Sequence, residues 1–277
     1  MNDSARQTAM DVGDGELSVT EFGPADAPAV LLVHGITSSS RAWLAVTRHL
    51  PGLRLIAPDL RGRGRSSRLP PSTGLRHHAA DLARVLDDLG VGPIPVVGHS
   101  MGAFVAVALA AARPDAVASL VLVDGGLPLE RPVGDVLGPI TARLAREFAG
   151  FDEARAFWHA HPAFAGREVP DLDAYSDYDL VGEPPHLRPA ATPEAIAADA
   201  LDLYGPDWYL EALRGLPGEV PLLRAPRGLV DEPGGLYPEL PRNPVPAVTV
   251  TDVPDCNHYT IVMTDPGAGI VARSITP

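Results

Sequence analysis

The segment Ile94-Pro95-Val96-Val97-Gly98-His99-Ser100-Met101-Gly102-Ala103-Phe104 constrains this 277-residue chain more than any other stretch. An apolar, β-branched run enters Gly-x-Ser-x-Gly, and an alanine-rich helical pattern leaves it. A turn of that kind holds its serine on a strained corner with the hydroxyl exposed. The flanking glycines let strand and helix backbones approach where a Cβ would clash. Gly-x-Ser-x-Gly alone is a weak motif, and an ordinary glycine-rich turn is the competing reading. The strand-turn-helix context is what makes it specific.

Short apolar runs bounded by Gly, Pro and Asp alternate with amphipathic stretches, the pattern of a mainly parallel sheet covered by helices. Strands are expected at Leu17–Phe22, Ala29–His34, Arg54–Ala57, Ile94–Gly98, Ser119–Val123, Val220–Arg224 and Ala247–Val253. Within Arg76–Leu89, Leu82, Val85, Leu86 and Leu89 recur at spacings of three and four, so one helical stripe faces the sheet. A second helix is expected from Met101 to Arg113, where Pro114 stops it. No internal repeat and no low-complexity linker interrupts the pattern.

The alternation breaks after Val123. Leu127–Gly215 is too long for a plain loop and contains no convincing strand. Helices are expected near Asp135–Ala149, Asp152–Ala160, Pro193–Tyr204 and Asp207–Arg214, with a Pro- and Asp-rich stretch, Pro162–Pro189, between them. The chain therefore divides into a core of residues 1–126 and 216–277 and a helical insertion, 127–215, lying over the sheet. The insertion holds 10 of the 15 aromatic residues and 16 acidic against 7 basic residues. These aromatics either form the insertion's own small core or, as a group, wall an apolar pocket. Phe157, Trp158, Tyr178 and Trp208, with Tyr259 from the core, are the residues expected to line it.

Charge and composition remove several classes of function. The formal net charge of −13 repels phosphate backbones and anionic membrane surfaces, so neither nucleic acid nor a membrane is an expected partner. All 22 basic residues are Arg, which excludes amine-based Schiff-base or pyridoxal chemistry and a P-loop lysine. The single cysteine, Cys256, excludes an internal disulfide framework and a Cys-rich zinc site, and is read as a small packed residue rather than a reactive thiol. Met1–Asp14 lacks a basic stretch followed by an apolar one, and no apolar run reaches the roughly 18 residues of a membrane span. These features describe a cytoplasmic enzyme that takes a small molecule and uses no metal or other cofactor, with no indication of oligomeric state.

A serine hydroxyl is a poor nucleophile near neutral pH and needs a base, which in turn needs an orienting carboxylate. In the expected chain order of serine, acid, histidine, the base lies after Ser100. Of the four histidines there, His159, His161 and His186 fall in the insertion, whereas His258 follows the last strand in Asp255-Cys256-Asn257-His258-Tyr259. His258 is therefore the base. The acid is assigned to Asp231, in the loop after Val220–Arg224, with Glu232 and Asp124 as rivals. Asp252 and Asp255 are too close to His258 in sequence to reach its ring from the far side. Oxyanion donors are expected from the backbone N–H groups of Met101, at the helix start, and Ile36, in the loop after Ala29–His34. Ser38-Ser39-Ser40 reads as polar loop.

His34-Gly35, Asp59-Leu60-Arg61-Gly62-Arg63-Gly64-Arg65-Ser66, Gly98-His99-Ser100-Met101-Gly102, Asp231 and His258 together resemble the α/β-hydrolase superfamily from about Leu17 to the C-terminus. The resemblance implies an α/β fold, an eight-stranded, mostly parallel sheet with a helical cap inserted after the sixth strand. It also implies that Asp59–Ser66 is a structural loop near the site, with its three arginines mostly solvated, and that His34 and His99 are structural flanking residues. Serine as nucleophile speaks against the epoxide hydrolase, haloalkane dehalogenase and dienelactone hydrolase branches, and the lack of Lys against hydroxynitrile lyases. Type II thioesterases share Gly-His-Ser-Met-Gly, but Ile36-Thr37 replaces their usual glycine pair.

The expected function is hydrolysis of a carboxylic ester or lactone of a medium-sized, largely apolar molecule through an acyl-enzyme on Ser100. The acidic insertion favours a neutral or cationic substrate. The same triad also serves C–C hydrolysis of β-diketones, thioester or amide cleavage and cyclising tailoring reactions, and a hydrolase-fold ligand receptor is the alternative from another class.

Overall fold

In the computed structural model, which describes residues 5–130, 138, 141–216, 218–240 and 245–275, eight strands make the central sheet. They are β1 (Arg6–Asp11), β2 (Glu16–Phe22), β3 (Ala29–Val33), β4 (Arg54–Pro58), β5 (Ile94–His99), β6 (Val117–Val123), β9 (Val220–Arg224) and β10 (Val248–Asp252). Their order is β1-β2-β4-β3-β5-β6-β9-β10. The first two pairings are antiparallel and the rest parallel. All seven expected strands are present, and no end lies more than two residues from its expected place.

The strand of the central sheet that sequence patterning missed is β1. Arg6-Gln7-Thr8-Ala9-Met10-Asp11 lies at the sheet edge with nearly every residue exposed, so no buried face imposes an apolar alternation.

Helix α1 (Leu44–Arg48) follows β3, α2 (Leu75–Leu89) follows β4, and α3 (Met101–Ala112) follows β5. The two longer helices differ in composition for a packing reason. Helix α2 buries Leu75, Leu82, Val85 and Leu86 on one face, as its stripe predicts. Helix α3 is buried all round from Met101 to Ala110, and its small alanines allow the sheet and neighbouring helices to close on it from every side.

Between β6 and β9 the chain forms α4 (Phe151–His159), α5 (Leu172–Tyr178), a two-stranded ladder of β7 (Leu180–Val181) and β8 (Arg188–Pro189), α6 (Pro193–Ala200), a 3₁₀ turn at Leu201–Tyr204, and α7 (Asp207–Arg214). Helix α5 and the ladder occupy the stretch expected to be irregular. Of the helix expected at Asp135–Ala149, residues 141–144 are helical, Phe148 pairs with Leu187, and residues 135–137 and 139–140 lie outside the described residues. Two C-terminal helices, α8 (Thr260–Met263) and α9 (Gly267–Ile275), complete the fold. Among the described residues, no helix is long and apolar enough to cross a membrane.

The loop Asp59–Ser66 is structural, but two of its arginines are not solvated. Arg61 and Arg63 have 0% exposure, while Arg65 is exposed. Arg61 makes paired contacts with Asp81 at 2.9 Å and with Asp14 at 2.8 and 2.9 Å, tying the β1–β2 turn to α2. Asp59 accepts the N–H groups of Ser40 and Arg65 and the Tyr178 hydroxyl. A buried guanidinium is tolerated because each charge is paired and each donor has an acceptor.

His34 is structural in the same sense. Its Nε2 accepts the Leu60 N–H at 2.9 Å and therefore carries no proton, which leaves Nδ1–H to donate to the Gly35 carbonyl at 2.8 Å. Burial pushes its pKa down to about 3, and burial, then the neighbouring His258, pushes His99 well below the usual imidazole value. Both rings stay neutral in the fold but protonate near pH 6.5 once unfolded, so stability is full above that pH and falls as pH falls. For His34 this amounts to about 1.4 kcal/mol per pH unit between its unfolded value and about 3. Urea unfolding between pH 6.0 and 4.5 is expected to show His34→Gln with a slope of stability against pH shallower than wild type by about that amount; equal slopes would refute the assignment.

Candidate active site

Ser100 joins β5 to α3 with φ 56° and ψ −124°, a conformation that costs a non-glycine residue about 1–3 kcal/mol. Its N–H donates to the Val123 carbonyl at 2.9 Å. Close packing on three sides enforces the turn. A Cβ on Gly102 would overlap the Val33 carbonyl oxygen and lie 2.6 Å from that of His34. One on Gly98 would lie 2.5 Å from the Ala103 Cα and N, and one on Gly125 would lie 2.6 Å from the Ser100 Cα. Gly102→Ala is thus expected to lower unfolding free energy by about 3 kcal/mol through overpacking, checked by urea denaturation, since the obstructing atoms are backbone and cannot rotate away.

His258 lies on the loop after β10, as expected, but its carboxylate partner is Asp124. Nδ1 of His258 is 2.7 Å from Asp124 Oδ2, and both residues are buried, Asp124 completely. Asp124 directly follows β6, with φ 42°. Its N–H donates to the Leu223 carbonyl at 2.7 Å, and its Oδ1 accepts the Ala225 N–H at 3.0 Å, so the side chain is anchored across the ends of β6 and β9 with Oδ2 left for the imidazole.

Asp231, assigned as the acid from sequence, does not meet His258. The chain after β9 folds into a tight turn in which Gly228 N–H donates to the Glu232 carbonyl, leaving Asp231 with a side chain 23% exposed. There its carboxylate is paired with Arg167 and Arg227, each at 3.0 Å, and accepts the Asn257 amide at 2.9 Å. Glu232 turns back to accept the Val230 N–H. The parallel register sets Leu122 beside Leu222 and Val123 beside Leu223, so the loops after β6 and β9 start side by side and either could have supplied the acid. Two sequence features distinguished them: Asp124 sits directly at its strand end before Gly125-Gly126, whereas Asp231 has a charge partner, Arg227, four residues before it.

Ser100, Met101, Ile36 and His258 line one pocket with a cavity volume of about 40 Å³. Met101 is the first residue of α3, so its N–H has no partner four residues back and is free to face the pocket. The Ile36 N–H belongs to a peptide whose carbonyl, that of Gly35, accepts from His34 Nδ1 at 2.8 Å and from the Ser38 N–H at 3.2 Å. A trans peptide directs N–H opposite its C=O, which fixes the direction of the Ile36 donor.

The pocket wall differs from the expected one. Tyr259 lines it, but Phe157, Trp158, Tyr178 and Trp208 do not; Ala42, Phe104, Leu129, Leu203, Leu229, Leu236, Val262 and Met263 supply the apolar surface. Trp158 instead stacks edge-on with Phe164, Tyr175 and Tyr259, at 5.8, 5.4 and 6.1 Å between ring centroids, so the cluster backs the pocket at Tyr259 from behind. Phe157 packs on Phe148, Tyr178 donates to Asp59, and Trp208 lies under Arg76. Aromatic content marked where a hydrophobic cluster forms; it carried no information on which side of that cluster the cavity opens.

The remaining candidates have structural partners. His99 Nε2–H donates to the His258 carbonyl at 2.8 Å and its ring lies 4.7 Å from that of His258, so it holds the His258 backbone in place. Cys256 is buried, and burial pushes its thiol up to about 11, far from a thiolate at neutral pH. Ser38 reaches the pocket wall, Ser39 caps the short helix at Ser40–Trp43, and Ser40 holds Asp59 through its N–H.

The sequence pattern of the family described as "alpha/beta hydrolase fold" matches residues 28–184. Lipase LipV of Mycobacterium tuberculosis is 42% identical over 170 residues, and the match spans 61% of this chain and 64% of LipV, less than two thirds of that relative's length. The putative hydrolase LipZ of Mycobacterium tuberculosis is 31% identical over 258 residues, spanning 86% of this chain and 84% of LipZ. Among solved structures, E-2-(acetamidomethylene)succinate hydrolase matches 99% of this chain and 98% of its own length with a TM-score of 0.81 and 25% identity.

Proposed function

The chain belongs to the α/β-hydrolase fold family, and from that premise we propose that it is a serine hydrolase cleaving a carboxylic ester or lactone with a slender, apolar acyl part. The observation that carries this reading is the His258 Nδ1 to Asp124 Oδ2 hydrogen bond of 2.7 Å, formed where His258 and the strained Ser100 share an apolar pocket.

A carboxylate can only accept, so Nδ1 carries the proton and Nε2 is left as the basic nitrogen. His258 takes the Ser100 proton as Oγ attacks the ester carbonyl, and Asp124 fixes the imidazole and stabilises its cation. The negative charge on the carbonyl oxygen is received by the N–H groups of Met101 and Ile36, with the α3 N-terminus adding its dipole. His258 then protonates the leaving alkoxide. In the second half it deprotonates water, which attacks the acyl-enzyme and returns Ser100.

The wall supports a substrate whose acyl part is neutral: among the described lining residues no carboxylate and no guanidinium side chain appears. The narrow cavity supports an unbranched chain over a bulky ring.

Two experiments test the reading. On p-nitrophenyl esters of increasing acyl length, turnover is expected to peak at a short to medium chain and to vanish in Ser100→Ala, with one fluorophosphonate adduct on wild type by intact mass. Labelling without ester turnover, or a better kcat/KM on a thioester or β-diketone, would replace the ester assignment. Asp124→Asn is expected to lower kcat by about 10⁴-fold with the fold intact, whereas Asp231→Asn keeps kcat within a few-fold of wild type. The opposite ranking would return the acid to the loop after β9.

A further inference from the structure

We infer that two buried arginines, Arg63 and Arg143, are positioning residues that clamp the oxyanion loop, and that each depends on a carboxylate of the segment inserted between β6 and β9. The inference rests on the proposed serine hydrolase reading.

Three consecutive carbonyls of this loop have donors. That of Gly35 is held by His34, within the core. The carbonyl of Ile36 accepts from Arg63 Nε at 2.8 Å, and that of Thr37 accepts from Arg143 Nη2 at 3.2 Å. Both arginines are buried, Arg63 at 0% exposure. Neither contact is incidental, because a guanidinium taken from water keeps its charge only beside a counter-ion, and both counter-ions come from the insertion. Arg63 Nη2 is 2.6 Å from Asp199 Oδ2, on α6, and Arg143 pairs with Asp179, which directly follows α5.

The planar fork of Arg suits this task. Arg63 spends its remaining donors on the Arg61 and Ala195 carbonyls, so one side chain ties the oxyanion loop, the Asp59–Ser66 loop and α6 together. Asp199 is itself held by His78 at 3.0 Å and by the Ser72 hydroxyl, which fixes it against α2. Arg143 lies over the Trp158 ring at 4.9 Å, within the aromatic cluster that backs Tyr259. The peptide planes on the C-terminal side of the Ile36 N–H are thus set by two cations whose own positions depend on the insertion being docked. The oxyanion donor in the core is completed by the cap.

The test compares wild type, Arg63→Lys and the paired replacement Arg143→Leu with Asp179→Leu, which removes both charges together and so leaves no buried ion alone. Rates are expressed per serine titrated with a fluorophosphonate, so that misfolded protein does not count. The clamp predicts kcat lowered about tenfold or more in each variant, KM within twofold, an unchanged pH midpoint of kcat, and the inhibition constant of an alkyl boronic acid raised by the same factor as kcat falls. It also predicts faster amide hydrogen exchange in a peptide covering residues 34–40. Wild-type kcat per titrated serine with unchanged exchange in both variants overturns the clamp. If wild type neither labels nor turns over ester, the hydrolase reading fails, and the exchange data alone still decide whether the arginines hold the loop.

Discussion

The rest of the structure depends on how closely three backbones approach around Ser100. Strand β3 runs against the first turn of α3 at Gly102, β5 turns beneath that helix at Gly98, and the chain leaving β6 passes the serine at Gly125. A side chain at any of these positions would separate the elements. Because they touch, the serine is forced to positive φ, Met101 opens a helix with a free N–H, and the ends of β3 and β6 come within reach of the same point. The Gly35–Ser38 loop follows β3 and Asp124 directly follows β6, so the groups around Ser100 are consequences of one packing contact.

Charge is handled by a second device. A chain with an excess of acidic residues and only arginine for cations could leave its guanidinium groups in solvent, yet among the described residues it buries three of them. Arg61 pairs with Asp14 and Asp81, joining the β1–β2 turn to α2; Arg63 pairs with Asp199 on α6; and Arg143, paired with Asp179 within its own segment between β6 and β9, donates to the Thr37 carbonyl. Five directional donors per group make arginine able to satisfy several acceptors at once, which an ammonium cannot do in the same geometry. Breaking one such pair by removing a single partner leaves a buried charge unmatched, at a cost of about 3–5 kcal/mol.

The sheet strands were legible because a buried strand must be apolar, and Val30–Val33 or Val96–Val97 leaves little choice. The exposed edge strand β1 carries no such demand and was invisible. Helix α5 was hidden by the acidic Asp171–Asp179 stretch, in which Leu172, Tyr175, Ser176 and Tyr178 face inward while the aspartates between them reach solvent or ion partners. That Ser100 and His258 come to one place was readable from local patterns. The carboxylate that meets His258 was not, because the loops after β6 and β9 begin side by side and each offers an aspartate at positive φ.

By itself the sequence determined the turn at Ser100, the alternation that builds a parallel sheet, and the position of His258 after the last strand. Each is encoded in neighbouring residues whose backbone and burial needs are local. Tertiary structure alone decided that Asp124 rather than Asp231 meets the imidazole, that Leu203 and Leu236 rather than Trp158 and Trp208 face the cavity, and that Arg63 and Arg143 are buried against the loop after β3. Those choices depend on which of several chemically suitable side chains arrives first at a shared space, and that distance is set by the register of β6 on β9 and the docking of the insertion, neither of which any short stretch of sequence contains.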